Sequence, residues 1–347
     1  MKSNISKRKT DHLRLAANAQ LQKRDRNFSD YDLTYEPCLG IFPADNFNLK
    51  QTIGHKSIDH PLWISSMTGG SAESGKINKI LAKIAHEWGL GMGLGSCRIL
   101  MDNPKNIKDF QLRPILKDRP LWANLGICQV DEFNRQNNWK KFQRILEDLD
   151  VDGLMIHINP TQEFLQKEGS TLKHSAIDIL TSFFSKDVSL PIIVKEVGQG
   201  MGPQSLKALS QLPLAGIEFA SLGGTNFATL ELLRETTTQD SLDPLISLTK
   251  LGHSAKEMID FWTSFQTDKR AKSLASWHVI ISGGRGHDVI DDVVLFKKIQ
   301  KNHQCSIGLG YSILAQAYQG EKKAMEWLRK YLKTFYFINN FTTLKSS

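Results

Sequence analysis

The stretch Gly153-Leu154-Met155-Ile156-His157-Ile158-Asn159-Pro160-Thr161-Gln162-Glu163 contains the pattern from which the fold can be predicted. Its first half is apolar and predicts a buried β-strand that stops at the proline. Near or beyond that stop the stretch presents an imidazole, two amides and a carboxylate, which together can hold a polar ligand and a metal ion. Similar stretches, with an apolar strand first and a reactive or glycine-rich turn second, recur along the whole chain.

Eight short apolar segments follow this pattern, and most of them precede a helical pattern. The segments are Leu62–Ser66, Leu90–Leu94, Leu121–Leu125, Gly153–Ile158, Pro191–Val197, Ala215–Ser221, Trp277–Ser282 and Ser306–Leu309. The helices expected between them include Lys76–Trp88, Asn138–Leu149 and Gln204–Leu212. Strands that are buried on both faces and alternate with helices indicate parallel βαβ units. Eight units favour an α/β fold of the (β/α)8 or TIM-barrel type, while an open doubly wound sheet stays the alternative because a pattern does not show closure.

The whole chain, 1–347, is expected to form a single domain. An N-terminal arm (1–50) precedes the barrel (60–320), and a C-terminal helix and tail (321–347) follow it. The run Asp240–Lys250 breaks the strand–helix rhythm and predicts a long loop, a candidate lid, before a helix over Ala255–Phe265. Apolar residues at helical spacing in the C-terminal run predict a face that packs on the barrel or on another subunit.

Composition argues against several classes of protein. The chain is 40% hydrophobic and 23% charged, as expected of a globular domain. No apolar run approaches the ~20 residues of a membrane-spanning helix, and the first residues lack the apolar centre of a secretion signal. The four cysteines lie far apart, which argues against a zinc site or a disulfide framework. We therefore expect a soluble, cytoplasmic protein that does not associate with membranes.

The formal net charge is +8, and basic residues are dense near the N-terminus. A solvated tail and the capture of a small phosphorylated anion are both compatible with this density. Binding to nucleic acid is not expected, because no basic stripe interleaved with aromatic residues follows. Arg8, Lys9 and His12 stand close together, and on an ordered arm such a set could clamp a diphosphate over the mouth of the barrel.

In a (β/α)8 barrel the catalytic residues come from the C-terminal ends of the strands. Gly283 and Gly284 follow the seventh segment, and Gly308 and Gly310 mark the end of the eighth. Glycine-rich turns that open onto helix N-termini expose N–H groups that bind phosphate, and barrels often place a phosphate there. A phosphorylated cofactor or substrate is one interpretation, and glycines that only form tight turns are the other.

Three charged residues at strand ends are candidates for chemistry. Lys195 is costly to bury in its apolar strand unless it meets an anion. It could be a Schiff-base nucleophile, the cation facing the pyrimidine edge of a flavin, or the partner of Glu196 in a salt bridge. Arg98 could clamp a phosphate or pair with a surface acid. Glu163 could bind Mg²⁺ or merely favour a helix start.

These residues belong to an ordered series of motifs. The motifs are Arg8-Lys9-x-Asp11-His12, Met67-Thr68-Gly69-Gly70, Gly95-Ser96-x-Arg98, Asn124-Leu125-Gly126, His157-x-Asn159-Pro160-x-Gln162-Glu163, Val194-Lys195-Glu196-Val197-Gly198, Gly223-Gly224-Thr225-Asn226-Phe227 and Ser282-Gly283-Gly284. In their order and spacing, over most of the chain, they resemble the type 2 isopentenyl-diphosphate delta-isomerases, which depend on FMN.

The resemblance implies a (β/α)8 barrel that interconverts isopentenyl and dimethylallyl diphosphate in isoprenoid biosynthesis. It implies Mg²⁺, FMN kept reduced by NADPH or NADH, reduced flavin as the acid–base, and a homo-oligomer, either a tetramer or an octamer. The implied FMN contacts are Ser66, Met67, Thr68, Ser96, Asn124, Lys195, Thr225, Gly283, Gly284, Gly310 and Tyr311. The implied substrate contacts are Arg8, Lys9, His12, Ser96, Arg98, Asn159 and Gln162. Gln162 and His157 would be catalytic, with Glu163 on the metal.

The sequence departs from the family in three turns. Glu218-Phe219-Ala220-Ser221-Leu222 replaces a run that usually contains aspartate, serine and glycine, and the turn Ser282–Asp288 is two residues shorter than usual. The turn Gly308–Ser312 is only a loose match. All three affect the flavin more than the substrate, so two alternatives stay open. One is an FMN oxidoreductase of the 2-hydroxy-acid oxidase type, with His253 or His287 as base, and the other is a flavin-poor diphosphate-binding relative without activity.

Overall fold

The computed structural model describes residues 27–42, 49–67, 69–186, 188–235, 243–265 and 276–345. The strands in these ranges are β1 (Leu33–Tyr35), β2 (Gln51–Ile53), β3 (Lys56–Ile58), β4 (Leu62–Ile64), β5 (Gly91–Gly93), β6 (Leu121–Gly126), β7 (Gly153–His157), β8 (Ile192–Lys195), β9 (Gly216–Glu218), β10 (His278–Ile281), β11 (Gln304–Leu309) and β12 (Thr342–Leu344). The helices are α1 (Ala72–Glu87), α2 (Ile99–Asp102), α3 (Arg113–Leu116), α4 (Ile127–Gln136), α5 (Trp139–Leu149), α6 (Pro160–Leu165), α7 (Ala176–Phe184), α8 (Pro203–Leu209), α9 (Phe227–Glu235), α10 (Ala255–Ser264), α11 (Val289–Gln300), α12 (Tyr311–Tyr318) and α13 (Glu321–Phe341). Short 3-10 helices span Phe28–Asp30, Pro104–Asp109 and Pro244–Lys250.

Eight of the strands close into a parallel barrel, in the order β10-β11-β4-β5-β6-β7-β8-β9. The pairing of β11 with β4, in which Ile307 lies opposite Leu62, joins the last barrel strand to the first. The predicted TIM barrel is therefore confirmed, and the open sheet is ruled out. Each of the eight predicted segments contains or overlaps one barrel strand, and most of the strands are shorter than predicted.

The inside of the barrel is filled by large apolar side chains, so the barrel is a packed core and not a pore. Trp63, Trp122, Met155, Ile193 and Ile280 form this cluster, and all are fully buried. Such side chains need space on the neighbouring strands, and glycines in β5 and β7 provide it. A methyl group on the glycine that begins β7, for example, would lie 2.6 Å from the Trp122 ring.

A small hairpin closes the N-terminal end of the barrel. It consists of β2 and β3, which the apolar pattern did not predict, and its Ile53 joins the interior cluster. The carbonyl oxygen of Thr52 contacts Nδ1 of His278 at 2.8 Å, and Nε2 of the same ring contacts the Ser306 hydroxyl at 2.9 Å. The hairpin is thus fixed to two barrel strands by a buried histidine.

The C-terminal helix α13 packs on the outside of the barrel. Its apolar face contains Leu328, Leu332 and Phe335, all buried against the helices around it. This arrangement confirms the first of the two predicted roles of the stripe, packing on the barrel. Strand β12 after the helix pairs with β1, so residues 33–35 of the predicted arm are held against the end of the chain.

The predicted loop Asp240–Lys250 is wrong for the residues that the structure describes. From Pro244 to Lys250 the chain forms a 3-10 helix, because the Asp243 carboxylate accepts a hydrogen bond from the N–H of Leu245 at 2.9 Å and caps it. Residues 240–242 lie outside the described ranges. No helix in the described part of the chain is long and apolar enough to span a membrane.

Candidate active site

A cavity of about 380 Å³ opens at the C-terminal ends of β4, β8, β9, β10 and β11. Its size is typical of small-molecule sites, which have volumes of roughly 300–1,000 Å³. The sequence-predicted cofactor residues that line it are Ser66, Met67, Lys195, Thr225, Gly283, Gly284, Gly310 and Tyr311. Thr68 lies outside the described residues, whereas Ser96 and Asn124 are described but belong to the neighbouring sector of the mouth.

One end of the cavity is walled by bare backbone. The turns after β9 and β10 approach so closely that a methyl group on Gly224 would lie 2.3 Å from the Gly284 nitrogen. Gly284 also has a φ of 69°, which favours glycine. Larger residues at these two positions would separate the turns and fill the cavity.

The helices that follow β10 and β11 differ in how their first N–H groups are used. At α11 the Asp288 carboxylate accepts hydrogen bonds from the N–H groups of Ile290 and Asp291, so this N-terminus is already capped. At α12 the cap is Gly310, which has no side chain to accept a hydrogen bond. The N–H groups that start α12 therefore remain available to an anion, as at other phosphate-binding helix ends.

Arg285, in the shortened turn after β10, lines the cavity but is paired with acids. One guanidinium nitrogen lies 2.8 Å from Asp291 and 3.2 Å from Asp292, and Nε donates to the Gly283 carbonyl at 3.0 Å. The same Asp292 carboxylate accepts a hydrogen bond from the Tyr331 hydroxyl of α13 at 2.8 Å. Burial raises the pKa of Asp292 to about 6, although Arg285 and the Tyr331 hydrogen bond lower it. The arginine therefore anchors the turn to the helices behind it.

Lys195 ends β8 as a buried cation in the cavity wall. Its Nζ donates to the backbone carbonyl of Glu196 at 2.7 Å, and no salt bridge connects it to a described carboxylate. The alternative of a salt bridge between Lys195 and Glu196 is therefore wrong. The Glu196 carboxylate turns the other way, toward the loop that follows it.

The Glu196 carboxylate organises that loop. A single oxygen, Oε2, accepts the N–H groups of the next four residues, from Val197 to Gly200, at 2.6, 2.7, 2.5 and 3.1 Å. Burial of the carboxyl raises its pKa, although these hydrogen bonds oppose that shift. Gly198 in the loop packs so tightly that a methyl group there would lie 2.3 Å from the Thr225 carbonyl oxygen. Glu196 thus fixes both the Lys195 contact and the approach of the Thr225 turn.

His157 and Asn124 form a hydrogen-bonded pair in the neighbouring sector. Nδ1 of the imidazole lies 2.8 Å from the Asn124 side-chain oxygen. Burial, with the positive charge of Lys195 second, lowers the pKa of His157 to about 3, so the ring is neutral at pH 7. Because an amide oxygen only accepts, Nδ1 carries the proton and Nε2 is left as an acceptor. This nitrogen is close to Gly126, where a methyl group would lie 2.9 Å from it.

Helix α6 presents a second hydrogen-bonded cluster. The Asn159 amide donates to Gln162 and to Glu163, both at 3.1 Å, and the second Glu163 oxygen accepts the N–H of Ser170 at 2.8 Å. The Gln162 amide in turn donates to Glu231 at 3.2 Å. The side-chain oxygen of Asn159 is buried without a hydrogen-bond partner among the described residues, as expected of a group that a ligand would contact.

Glu231 belongs to this cluster and was not predicted from the sequence. It lies on α9, is 7% exposed, and pairs with Arg234 at 2.7 Å besides accepting from Gln162. A charged residue at a buried position of a helix is uncommon. That position in the helical pattern was the signal that would have revealed it.

The remaining predicted substrate residues are only partly described. Ser96 and Arg98 are exposed at the start of α2. Burial raises the pKa of the Cys128 thiol to about 12. The charge of Glu163 raises this pKa further and the charge of Arg98 lowers it, so both residues lie near Cys128 and near each other. Arg8, Lys9 and His12 lie outside the described residues.

The described residues contain no cluster of three or more histidine, cysteine, aspartate or glutamate side chains that could hold a metal. Glu163 therefore offers one carboxylate, already held in place by Asn159 and Ser170. This set does not fit a metal site built only from protein groups. It does fit Mg²⁺, which is usually bound by one or two carboxylates together with substrate phosphates.

Comparison with known proteins reveals similarity to a group of isomerases, although no family model matches the chain. An isopentenyl-diphosphate delta-isomerase of Synechocystis is 34% identical over 233 residues, covering 67% of this chain and 66% of that protein. Isomerases of the same name from Borreliella afzelii and Nostoc are 33% and 34% identical, with 66% and 65% of this chain covered. The alignments span slightly less than two thirds of the length of these relatives.

Solved structures show the same fold at much lower identity. A mandelate oxidase with (S)-mandelic acid has a TM-score of 0.53 and 9% identity, covering 91% of this chain and 88% of that one. A mandelate oxidase with benzoyl-formic acid has a TM-score of 0.54 and 10% identity, with the same coverage. This likeness concerns the barrel alone, whereas the isomerases share sequence as well. The chain thus belongs to the isopentenyl-diphosphate delta-isomerase family, as its motifs predicted.

Proposed function

We propose that the protein is an FMN-dependent isomerase that interconverts isopentenyl and dimethylallyl diphosphate in isoprenoid biosynthesis. The observation that carries the proposal is the position of the Gln162–Glu231 pair on the helices that follow β7 and β9. The polar pair belongs to the same face of the barrel as the glycine-walled cavity that Lys195 lines. The cavity suits a phosphorylated cofactor and the polar pair suits a substrate, so cofactor and substrate would meet at the same mouth of the barrel.

The cavity has a size that suits FMN, and two buried hydroxyl groups, one in its wall and one in the first turn of α12, are unsatisfied within the described part of the chain. The hydroxyl oxygens of Ser65 and Ser312 are buried without hydrogen-bond partners among the described residues. Ser312 lies in the first turn of α12, close to Gly286, where the helix N-terminus is open to a phosphate. One mandelate oxidase of the same fold, with a TM-score of 0.52, contains a monooxide FMN adduct. In the present chain Lys195, Thr225 and the glycine turns would hold FMN.

Reduced FMN, with NADPH or NADH as the reductant, would supply a ring that takes up and returns protons beside the alkene. The isomerisation is redox-neutral, because one proton is added at the terminal alkene carbon and another is removed from the allylic position. The chain itself would orient the reactants and hold charge. His157 is neutral with Nε2 free to accept, and Gln162 is held between Asn159 and Glu231, so both can position groups without changing their own charge.

The diphosphate would be neutralised from two sides. Glu163 would bind Mg²⁺ together with phosphate oxygens, and Arg98 would contact the anion directly. Asn159, whose amide N–H groups hold Gln162 and Glu163, would contact the bound Mg²⁺ or its water through its free side-chain oxygen. Arg8, Lys9 and His12, which lie outside the described residues, would complete the clamp from the N-terminal arm. We also propose that the protein is a homo-oligomer.

The proposal is tested by incubating the purified full chain anaerobically with isopentenyl diphosphate, FMN, NADPH and Mg²⁺. Formation of dimethylallyl diphosphate supports it, and absence of product with FMN bound contradicts it. Flavin bleaching by a 2-hydroxy acid would indicate the oxidase alternative. In that alternative Arg285 would have to release Asp291 and Asp292 before it could bind a substrate carboxylate. A colourless protein that takes up no FMN would indicate the inactive diphosphate-binding relative.

A further inference from the structure

Glu218 is a buried acid in the wall of the cavity. It ends β9, is 1% exposed, and lines the cavity with Lys195 and Ser282. Its Oε2 has no hydrogen-bond partner among the described residues. Buried polar atoms in native proteins are almost always hydrogen-bonded, so an unpaired carboxyl oxygen on a cavity wall indicates a donor that arrives with the ligand.

The position of Glu218 on the barrel limits what that donor can be. In the parallel sheet Glu218 lies opposite Lys195 on one side and opposite Ile280 on the other. Side chains in register on neighbouring parallel strands share a face, and Ile280 belongs to the cluster inside the barrel. Glu218 and Lys195 therefore both face the interior, one strand apart.

The wall beside Glu218 is polar and closely packed. The Ser65 hydroxyl is a second buried oxygen without a partner among the described residues. Gly308 allows Ser65 and Ser282 to approach, since a methyl group there would lie 2.8 Å from the Ser65 hydroxyl and 2.6 Å from the Ser282 Cβ. The strip formed by Glu218, Ser65 and Ser282 thus offers several oxygens to a ligand that has hydroxyl groups.

This strip lies between the two ends of the site. The glycine turns after β9 and β10 and the open end of α12 suit a phosphate, while the His157–Asn124 pair lies on the side of β6 and β7. In FMN the part between the phosphate and the ring is the ribityl chain, which carries hydroxyl groups. A hydroxyl can donate to one group while it accepts from another. Lys195 is such a second group, because an ammonium has three N–H donors and the Glu196 carbonyl accepts one of them.

We propose that Glu218 accepts a hydrogen bond from a ribityl hydroxyl of FMN, with Lys195 donating to the same region of the chain. Glu218 thereby selects a cofactor that carries a polyol between its phosphate and its ring. This inference rests on the proposed FMN binding. The contact of Glu218 depends on the ribityl hydroxyl group and not only on the shape of the cavity.

The test measures binding of FMN and of its 2′-, 3′- and 4′-deoxyribityl analogues to the full-chain apoprotein by titration of flavin fluorescence. Wild-type protein should bind one of the three analogues at least tenfold more weakly than FMN. In Glu218→Ala, FMN should lose about the same factor, and that analogue should bind as well as FMN does. Glu218→Gln keeps the side-chain volume and should bind FMN with an intermediate affinity.

Asp152→Asn is the matched control, because it removes one partly buried negative charge at the start of β7, where Asp152 pairs with Lys56 and Arg113. It should show the wild-type ratio for every analogue. If each deoxy analogue is weakened by the same factor in wild type and in both Glu218 variants, the inference is overturned while FMN binding stands. If wild-type protein takes up no FMN at all, the proposed function and the inference are both overturned.

Discussion

The Gln162 amide donates to the Glu231 carboxylate over 3.2 Å and joins α6 to α9 across the mouth of the barrel. The two residues are far apart in sequence, and each has a further partner, Asn159 for Gln162 and Arg234 for Glu231. The orientation of the Gln162 amide is therefore set from both sides. The side-chain oxygen and one N–H of Gln162 are thus engaged, which leaves its second N–H for a substrate.

We expect Glu231→Gln to lower kcat by about tenfold to a hundredfold, with little change in KM, because the change removes the acceptor charge that orients Gln162. Steady-state kinetics with isopentenyl diphosphate would measure both constants. Glu168→Gln is the control, since Glu168 pairs with the same Arg234 at 3.0 Å but is exposed. An equal loss of kcat in both variants would indicate that kcat depends on the ion pairs of Arg234 and not on the orientation of Gln162.

Glu196→Gln should loosen the loop from Val197 to Gly200, because a neutral amide cannot accept four N–H groups as a carboxylate oxygen does. We expect an unfolding free energy lower by about 2 kcal/mol, as for charged hydrogen bonds in general. FMN affinity should fall about tenfold, because the Lys195 contact and the Thr225 turn depend on this loop. Denaturation and FMN titration measure the two effects. Glu257→Gln, at the exposed cap of α10, should leave FMN affinity unchanged.

Arg285→Lys should mainly affect stability. The guanidinium compensates Asp291 and Asp292, and disturbing a buried ion pair typically costs about 3–5 kcal/mol when one partner is lost. Lysine keeps the charge, so we expect roughly half of that loss. FMN affinity should stay within about threefold of wild type, because the open helix end at Gly310 is the expected phosphate site. A tenfold loss of FMN affinity at unchanged melting temperature would contradict this assignment.

His278 should make the protein less stable in acid. Burial lowers its pKa in the folded state from 6.5 to about 4, so below pH 6.5 the unfolded chain binds a proton that the folded protein does not. The contribution of His278 to the free energy of unfolding should therefore fall by about 3 kcal/mol as the pH drops from 6.5 to 4, and then level off.

Denaturant unfolding of wild type and His278→Gln across this pH range would test the prediction. Asp292, with its raised pKa, contributes with the opposite sign between pH 3.8 and about 6, and His157, with its pKa of about 3, contributes with the same sign as His278. Both contributions are common to the two proteins and cancel in their difference. The free energy of unfolding of wild type minus that of His278→Gln should therefore fall by about 3 kcal/mol as the pH drops from 6.5 to 4. Parallel curves would show that His278 is not the titrating group.

The barrel could be predicted from sequence because each of its strands is buried on both faces. Such strands read as apolar runs bounded by turn residues, and Gly153–His157 is a clear example. The hairpin β2–β3 gave no such signal, since only Ile53 and Ile58 of its strands are apolar and they face inward. Its position depends on contacts with distant strands, which a local pattern does not contain.

The polar residues at the strand ends were predictable for a similar reason. In a parallel barrel all C-terminal ends meet on one face, so Lys195, Thr225 and Gly283 had to converge once the fold was right. Their partners were not predictable. Whether Lys195 meets the Glu196 carboxylate or its carbonyl depends on one side-chain torsion, and the neutralisation of Arg285 by Asp292 depends on where α11 begins.

The most direct test of the central claim is anaerobic turnover of isopentenyl diphosphate in D₂O by the FMN-loaded full chain with NADPH and Mg²⁺. We expect dimethylallyl diphosphate with solvent deuterium in the methyl group formed from the terminal alkene carbon, detected by NMR and mass spectrometry. A protein that is yellow, and therefore holds flavin, but forms no product and incorporates no deuterium would contradict the account.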